Sequence, residues 1–151
     1  MRIGIADTTF ARVDMAAAAI EALQKEKMVE IERYTVPGFK DLPVAARKLI
    51  EEYSCDIVLA LGWVGKKEID ERCASEANAG LINAELLTRK HILKIFFHEQ
   101  ETSDEKEQKE IALDRSRKHA MNALALMKGK DALRAFAGKG RRQGYADAGE
   151  L

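Results

Sequence analysis

Apolar and polar positions along the chain change period repeatedly. Arg2 to Ala6 is a short apolar run with strand character. Asp14 is placed to cap a helix with Ala17, Ile20 and Leu23 at helical spacing on its inner face. Val29 to Val36 predicts a second strand. Its Glu30 and Glu32 alternate with Val29 and Ile31, as on an exposed sheet edge. Pro43 suits the first position of a helix, where its missing N–H costs nothing. Ala46, Leu49, Ile50 and Tyr53 form that helix's apolar stripe. Ile57 to Leu61 is apolar throughout, the pattern of a strand buried on both faces. A third helix is expected from about Asp70 to Arg89, with Cys73, Ala77, Gly80, Leu81, Ala84 and Leu87 inward. Ile92 to Phe97 predicts the fourth strand. Thr102-Ser103-Asp104-Glu105 has the form of a capping box, opening a helix that runs to Met127. A short helix is expected at Asp131–Ala137.

Four strand–helix alternations imply an α/β fold, with a parallel sheet between two helical layers. Right-handed crossovers favour a four-stranded sheet of order 2-1-3-4. Residues 1–138 are expected to form one domain and 139–151 a Gly-rich tail. In such sheets ligands bind beyond the carboxyl ends of the strands. Four segments fall there: Asp7 to Asp14, Val36 to Pro43, Gly62 to Asp70, and His98 to Glu101.

Composition narrows the function classes. The chain has 151 residues, 46% of them apolar, and no run long enough to span a membrane. The start, MRIGIADTTF, carries Asp7 within its apolar stretch and does not read as a signal peptide. Acidic and basic residues balance at 25 each, which gives no indication of nucleic acid or an anionic membrane as partner. Cys55 and Cys73 lack zinc or redox spacing and are expected as reduced, packed side chains of a cytoplasmic protein. His91, His98 and His119 lack metal-ligand spacing. Neither a P-loop, nor a dinucleotide fingerprint, nor a nucleophile elbow occurs.

The four segments carry the candidate chemistry. Thr8, Thr9, Phe10 and Arg12 offer hydroxyls, an aromatic ring and a charge after the first strand. A capped turn with Phe10 folded back onto the core is the structural alternative. Both prolines of the chain, Pro37 and Pro43, bracket Gly38, Phe39, Lys40 and Asp41. That rigidity would present backbone N–H groups without an ordering cost; a purely structural turn is the alternative. Gly62 and Gly65 leave room for a planar ligand beside the backbone. Trp63, the single Trp, is suited to stacking on a heterocycle or to filling a subunit interface. His98 beside Glu99 is a candidate acid–base pair at a strand end.

Val36-Pro37-Gly38-x-x-Asp41-Leu42-Pro43 and Ala60-Leu61-Gly62-x-Val64 resemble the best-marked motifs of lumazine synthases. Members of that family are flavodoxin-like subunits, three-layer sandwiches assembled as pentamers with active sites between neighbours. They carry a longer loop after Ala-Leu-Gly, with a phosphate site and then a catalytic His; Gly65 to Asp70 has neither. IADTTFARVDMA, TVPGFKDLPVA, the strand from His91 to Glu99 and the tail AGKGRRQGYADAG more closely resemble the archaeal riboflavin synthases, a related family.

The resemblance implies dismutation of two 6,7-dimethyl-8-ribityllumazine molecules. One gives a four-carbon unit to the other, yielding riboflavin and 5-amino-6-ribitylamino-pyrimidinedione. It implies no organic cofactor, assistance by a divalent ion such as Mg2+, and a homopentamer. It also assigns roles. Phe10 would stack on the heterocycle, with Thr9 and Asp14 nearby. Asp41 and the backbone of Pro37, Gly38, Phe39 and Lys40 would take ribityl hydroxyls. Gly62 to Val64 would meet the pyrimidine edge, Trp63 would stack on the second substrate, and Lys66 fills the shortened loop. His98 and Glu99 would move protons. Arg141, Arg142 and Tyr145 of the tail would fold over a neighbour's site. Three other readings stay open: a lumazine synthase that binds its phosphate elsewhere, a flavin-binding module without turnover, and an assembly protein with no chemistry.

Overall fold

The computed structural model describes residues 1–26 and 28–151. Four strands, β1 (Arg2–Thr8), β2 (Glu30–Val36), β3 (Ile57–Val64) and β4 (Ile92–His98), form one parallel sheet in the order β2-β1-β3-β4. Four helices connect or flank them: α1 (Met15–Leu23), α2 (Leu42–Glu51), α3 (Glu68–Thr88) and α4 (Glu105–Met127). The expected order 2-1-3-4 and the three layers are borne out.

Strand alternation divides the core in two. On one face Ile3, Ile5, Leu59, Leu61, Trp63 and Phe97 pack under α1 and α4. On the other, Ala6, Val58, Ala60, Val64 and Ile92 pack under α2 and α3. β3 is buried at every position, because it is a central strand covered on both sides. Helix contacts are close where side chains are small. A Cβ on Gly80 of α3 would lie 2.8 Å from Pro43 Cγ of α2. One proline of the bracket thus serves helix packing.

Several boundaries differ from the periodicity. β3 runs through Gly62, Trp63 and Val64, so these are strand positions and not a loop. Ala17 is exposed on α1, whose buried face is Met15, Ala16, Ala18, Ala19, Ala22 and Leu23. Tyr53 and Leu87 are also exposed. α4 is capped by Asp104, which accepts from the N–H groups of Lys106 and Glu107 at 2.8 and 3.3 Å. Thr102 is not the cap; it donates to Glu107 instead. The short helix at Asp131–Ala137 reduces to a single 3-10 turn, Arg134–Phe136.

Candidate active site

The carboxyl ends of the strands are tied to one another loop by loop. Thr9 N–H donates to the Val36 carbonyl at 2.9 Å, and its hydroxyl donates to Pro37 O at 3.3 Å. The Phe10 ring reaches over to Gly65, whose missing side chain leaves space also for the Asp70 carboxylate. Gln100 Nε2 donates to Lys66 O at 3.4 Å. The rim therefore runs from the Pro37 loop through Thr9 and Phe10 to Lys66 and then to the end of β4. Phe10 is 51% exposed. It is not folded onto the core.

The Pro37–Pro43 segment separates into open and filled positions. Gly38 is extended, and a Cβ there would meet nothing within 4 Å. Phe39 is buried; its ring lies edge-on to Phe96 at 4.9 Å and occupies the space beside Gly62. The room expected for a planar ligand at Gly62 is thus taken by the protein's own ring. Lys40 pairs with Glu76 of α3 at 2.8 Å, and this ion pair raises its pKa. Asp41 is exposed at the start of α2 and makes no capping bond with its side chain.

β3 dictates the next group. Successive strand side chains point to opposite faces. Trp63 enters the α1/α4 core, where it is 2% exposed and packs at 4.5 Å on Phe97. Its indole N–H donates to Glu99 Oε1 at 2.7 Å. A buried indole has no face for a second substrate, so the stacking role assigned to Trp63 is corrected. Val64 is buried on the opposite face. Only the backbone of these residues is left to meet a ligand. Lys66 is exposed in the short loop that follows.

The same alternation separates His98 from Glu99. Glu99 turns to the α1 side, where Trp63 holds it and Arg12 lies 3.7 Å away. His98 turns to the α3 side and meets Glu71, with Nδ1 at 3.0 and 2.9 Å from the two carboxylate oxygens. The expected partnership of His98 with Glu99 is corrected: the carboxylate facing the imidazole is Glu71. A carboxylate can only accept, so Nδ1 is the donor to Glu71. A cavity of about 410 Å³ adjoins this pair, lined by Glu71, Ser75, Asn78, Lys94, Phe96 and His98.

A second cavity, of about 300 Å³, opens between β1, β2 and the start of α1. Asp7 is its buried acid. It accepts from Arg33 Nη2 at 2.6 Å and from the Thr35 hydroxyl at 2.7 Å. The hydrogen bond to Asp7 raises the Arg33 pKa against the opposing effect of burial. Asp14 accepts from Ala17 N–H at 2.9 Å and from Arg33 at 3.2 Å. Asp14 is therefore both the cap of α1 and a wall of this cavity. No group of three His, Cys, Asp or Glu side chains among the described residues is placed to hold a metal ion.

Sequence reasoning placed Asp7 in a candidate segment but did not find its partners Arg33 and Thr35, nor Glu71. Arg33 and Thr35 carried a usable signal: both alternate with Ile31 on the α1 side of β2, although they are exposed. Glu71 carried none, because α3 brings it to His98 from 27 positions away.

A family profile described as 6,7-dimethyl-8-ribityllumazine synthase matches residues 1–131. The chain belongs to that family. Within it, the chain is 51% identical to a riboflavin synthase of Methanothermobacter thermautotrophicus, over 100% of this chain and 99% of that protein. It is 47% identical to the riboflavin synthase of Archaeoglobus fulgidus, over 100% and 99% respectively. A 6,7-dimethyl-8-ribityllumazine synthase of Thermococcus onnurineus is 30% identical over 50% of this chain and 51% of its own length.

Proposed function

We propose that the protein is a riboflavin synthase. It is a transferase that moves a four-carbon unit between two molecules of 6,7-dimethyl-8-ribityllumazine. The carrying observation is full-length similarity to riboflavin synthases, against half-length similarity to a lumazine synthase. No atom is lost: two substrates become riboflavin and 5-amino-6-ribitylamino-pyrimidinedione. No phosphate takes part, in keeping with a β3–α3 loop only three residues long, Gly65 to Lys67.

The chemistry needs two heterocycles held face to face and a base for the acidic ring methyl. Orientation of two bound reactants contributes roughly 7–11 kcal/mol in well-aligned cases. Phe10 supplies a stacking face. Gly38 leaves open backbone, and Asp41 an exposed carboxylate, for ribityl hydroxyls. His98 is the base: Glu71 on Nδ1 orients the ring and stabilises the imidazolium, and Nε2 takes the proton. The same imidazolium returns a proton when the pyrimidine leaves.

Sites between subunits of a homopentamer belong to this reading. Ile82, Leu86 and Leu87 on α3 are exposed large apolar side chains, which suits a surface covered by another copy. A cytoplasmic location and the absence of nucleic-acid and membrane partners belong to it too. No described helix is long and apolar enough to cross a membrane.

The test separates the reactions. Purified protein is given the lumazine alone, with and without magnesium, or the pyrimidine diamine plus butanone phosphate. Riboflavin from the lumazine alone supports the proposal. Lumazine formed from the second mixture identifies a lumazine synthase. Tight flavin binding with no product in either identifies a binding module.

A further inference from the structure

We propose that Glu101, Arg115 and Tyr145 form a clamp that sets the position of His98. Tyr145, in the tail, is thereby a positioning residue for the reaction. The inference rests on the riboflavin synthase reading and names groups outside the rim just described.

The turn after β4, Glu99–Glu101, bends the chain so that the Glu101 carboxylate reaches back to its own start. Glu101 Oε1 accepts the His98 backbone N–H at 3.1 Å. The same carboxylate is gripped by Arg115 of α4 through two parallel bonds, Nη1 to Oε1 and Nη2 to Oε2, each 2.7 Å. Arg115 Nη1 also donates to the Phe96 carbonyl at 2.9 Å. One guanidinium therefore fixes the strand before His98 and the turn after it.

The tail of the same chain completes the arrangement. The Tyr145 hydroxyl donates to Glu101 Oε2. Its ring lies under the guanidinium, 5.4 Å from Arg115 Cζ. Gly144 adopts φ +87°, and a Cβ there would lie 2.6 Å from Arg115 Nε. Gly144 thus lets the tail backbone press directly on Arg115, and Gln143 O accepts from Arg115 Nε at 3.4 Å. Arg141 lies on the Phe136 ring at 4.1 Å instead of over the rim.

A buried ion pair is poor evidence of stabilisation, because desolvation offsets its attraction. Its geometric demand is the better explanation. A bidentate Arg–carboxylate pair tolerates one orientation, and that orientation fixes the backbone from Phe96 to Glu101. His98 needs such a fix. Its ring meets Glu71 on another helix, and a shift at the end of β4 would break that bond.

The test is Tyr145→Phe, which removes one hydroxyl and keeps the ring, with Arg115→Lys as a second variant. Steady-state kinetics, melting temperature and NMR resonances of His98 are measured on each. The clamp predicts that kcat for Tyr145→Phe falls about 10- to 100-fold, as small misplacements do. KM and melting temperature stay near wild type, and the His98 backbone and ring resonances move. Arg115→Lys moves the same resonances further. Unmoved His98 resonances in Tyr145→Phe overturn the clamp, whatever happens to kcat. So does moved resonance with unchanged kcat in an active wild type. If the wild type makes no riboflavin, the reaction reading fails, and the resonances alone decide the clamp.

Discussion

At the scale of single residues, hydrogen bonding distinguishes the acids near His98. Glu71 faces the imidazole, whereas Glu99 is tied to Trp63 and set beside Arg12. Glu71→Gln keeps the shape of the side chain but loses the charge that stabilises an imidazolium. Its kcat is expected to fall about 10- to 100-fold, within the usual range for losing part of an acid–base device. Glu99→Gln is expected to leave kcat within a few-fold and to lower the melting temperature instead. Parallel kinetics on the two variants decide the matter; equal losses would restore Glu99 to the chemistry. The sequence placed His98 at a strand end and so at the rim. It also made its immediate neighbour look like its partner. Adjacent strand residues point apart, and no local signal in one sequence pairs His98 with a carboxylate on α3.

Secondary-structure elements explain the next set of differences. The strands, their order and the helical layers were legible because period and apolar runs record burial directly. The end of β3 was not. Gly62 and Gly65 look like loop punctuation, yet Gly62 is a strand glycine kept bare for the Phe39 ring. Gly38 is bare for no reason inside the chain. The two glycines should therefore respond oppositely to a methyl group. Gly62→Ala is expected to lose about 1–3 kcal/mol, the usual cost of overpacking. Gly38→Ala is expected to change stability by less than about 0.5 kcal/mol while raising KM. Urea denaturation with kinetics on both variants checks this. A stable Gly62→Ala would mean that Phe39 is free to leave, and an unchanged KM at Gly38 would make that loop purely structural.

The whole molecule carries the pH dependence. His119 on α4 is half-buried beside a cavity formed with Leu93, Asn122, Leu126, Leu133, Phe136, Ala137, Arg141 and Gln143. Burial, with Arg115 nearby, lowers its pKa from 6.5 to about 4. The unfolded chain therefore takes up this proton first as pH falls. The stabilisation is complete above pH 6.5 and declines between 6.5 and about 4. Glu101 adds a loss at lower pH. Burial opposes its ionisation, but Arg115, Tyr145 and the His98 N–H together hold its pKa below the ordinary carboxylate value. Melting curves across this range should show the first decline flattened in His119→Gln; an unaltered profile would remove His119 from it. Neither this histidine nor the Glu101–Arg115 pair was legible beforehand, because their significance comes from burial and from contacts between distant segments. The tail was legible as Gly-rich, with Tyr145 singled out by resemblance; that Gly144 lets it press on Arg115 of α4 was not.

The most direct test of the account is turnover by His98→Ala on 6,7-dimethyl-8-ribityllumazine, with the particle mass in solution measured alongside. The account predicts that riboflavin formation falls at least about 100-fold, the lower end of what a positioned acid–base group contributes, while the mass matches wild type. Near-wild-type turnover from an intact assembly would contradict it and place the proton chemistry elsewhere on the rim.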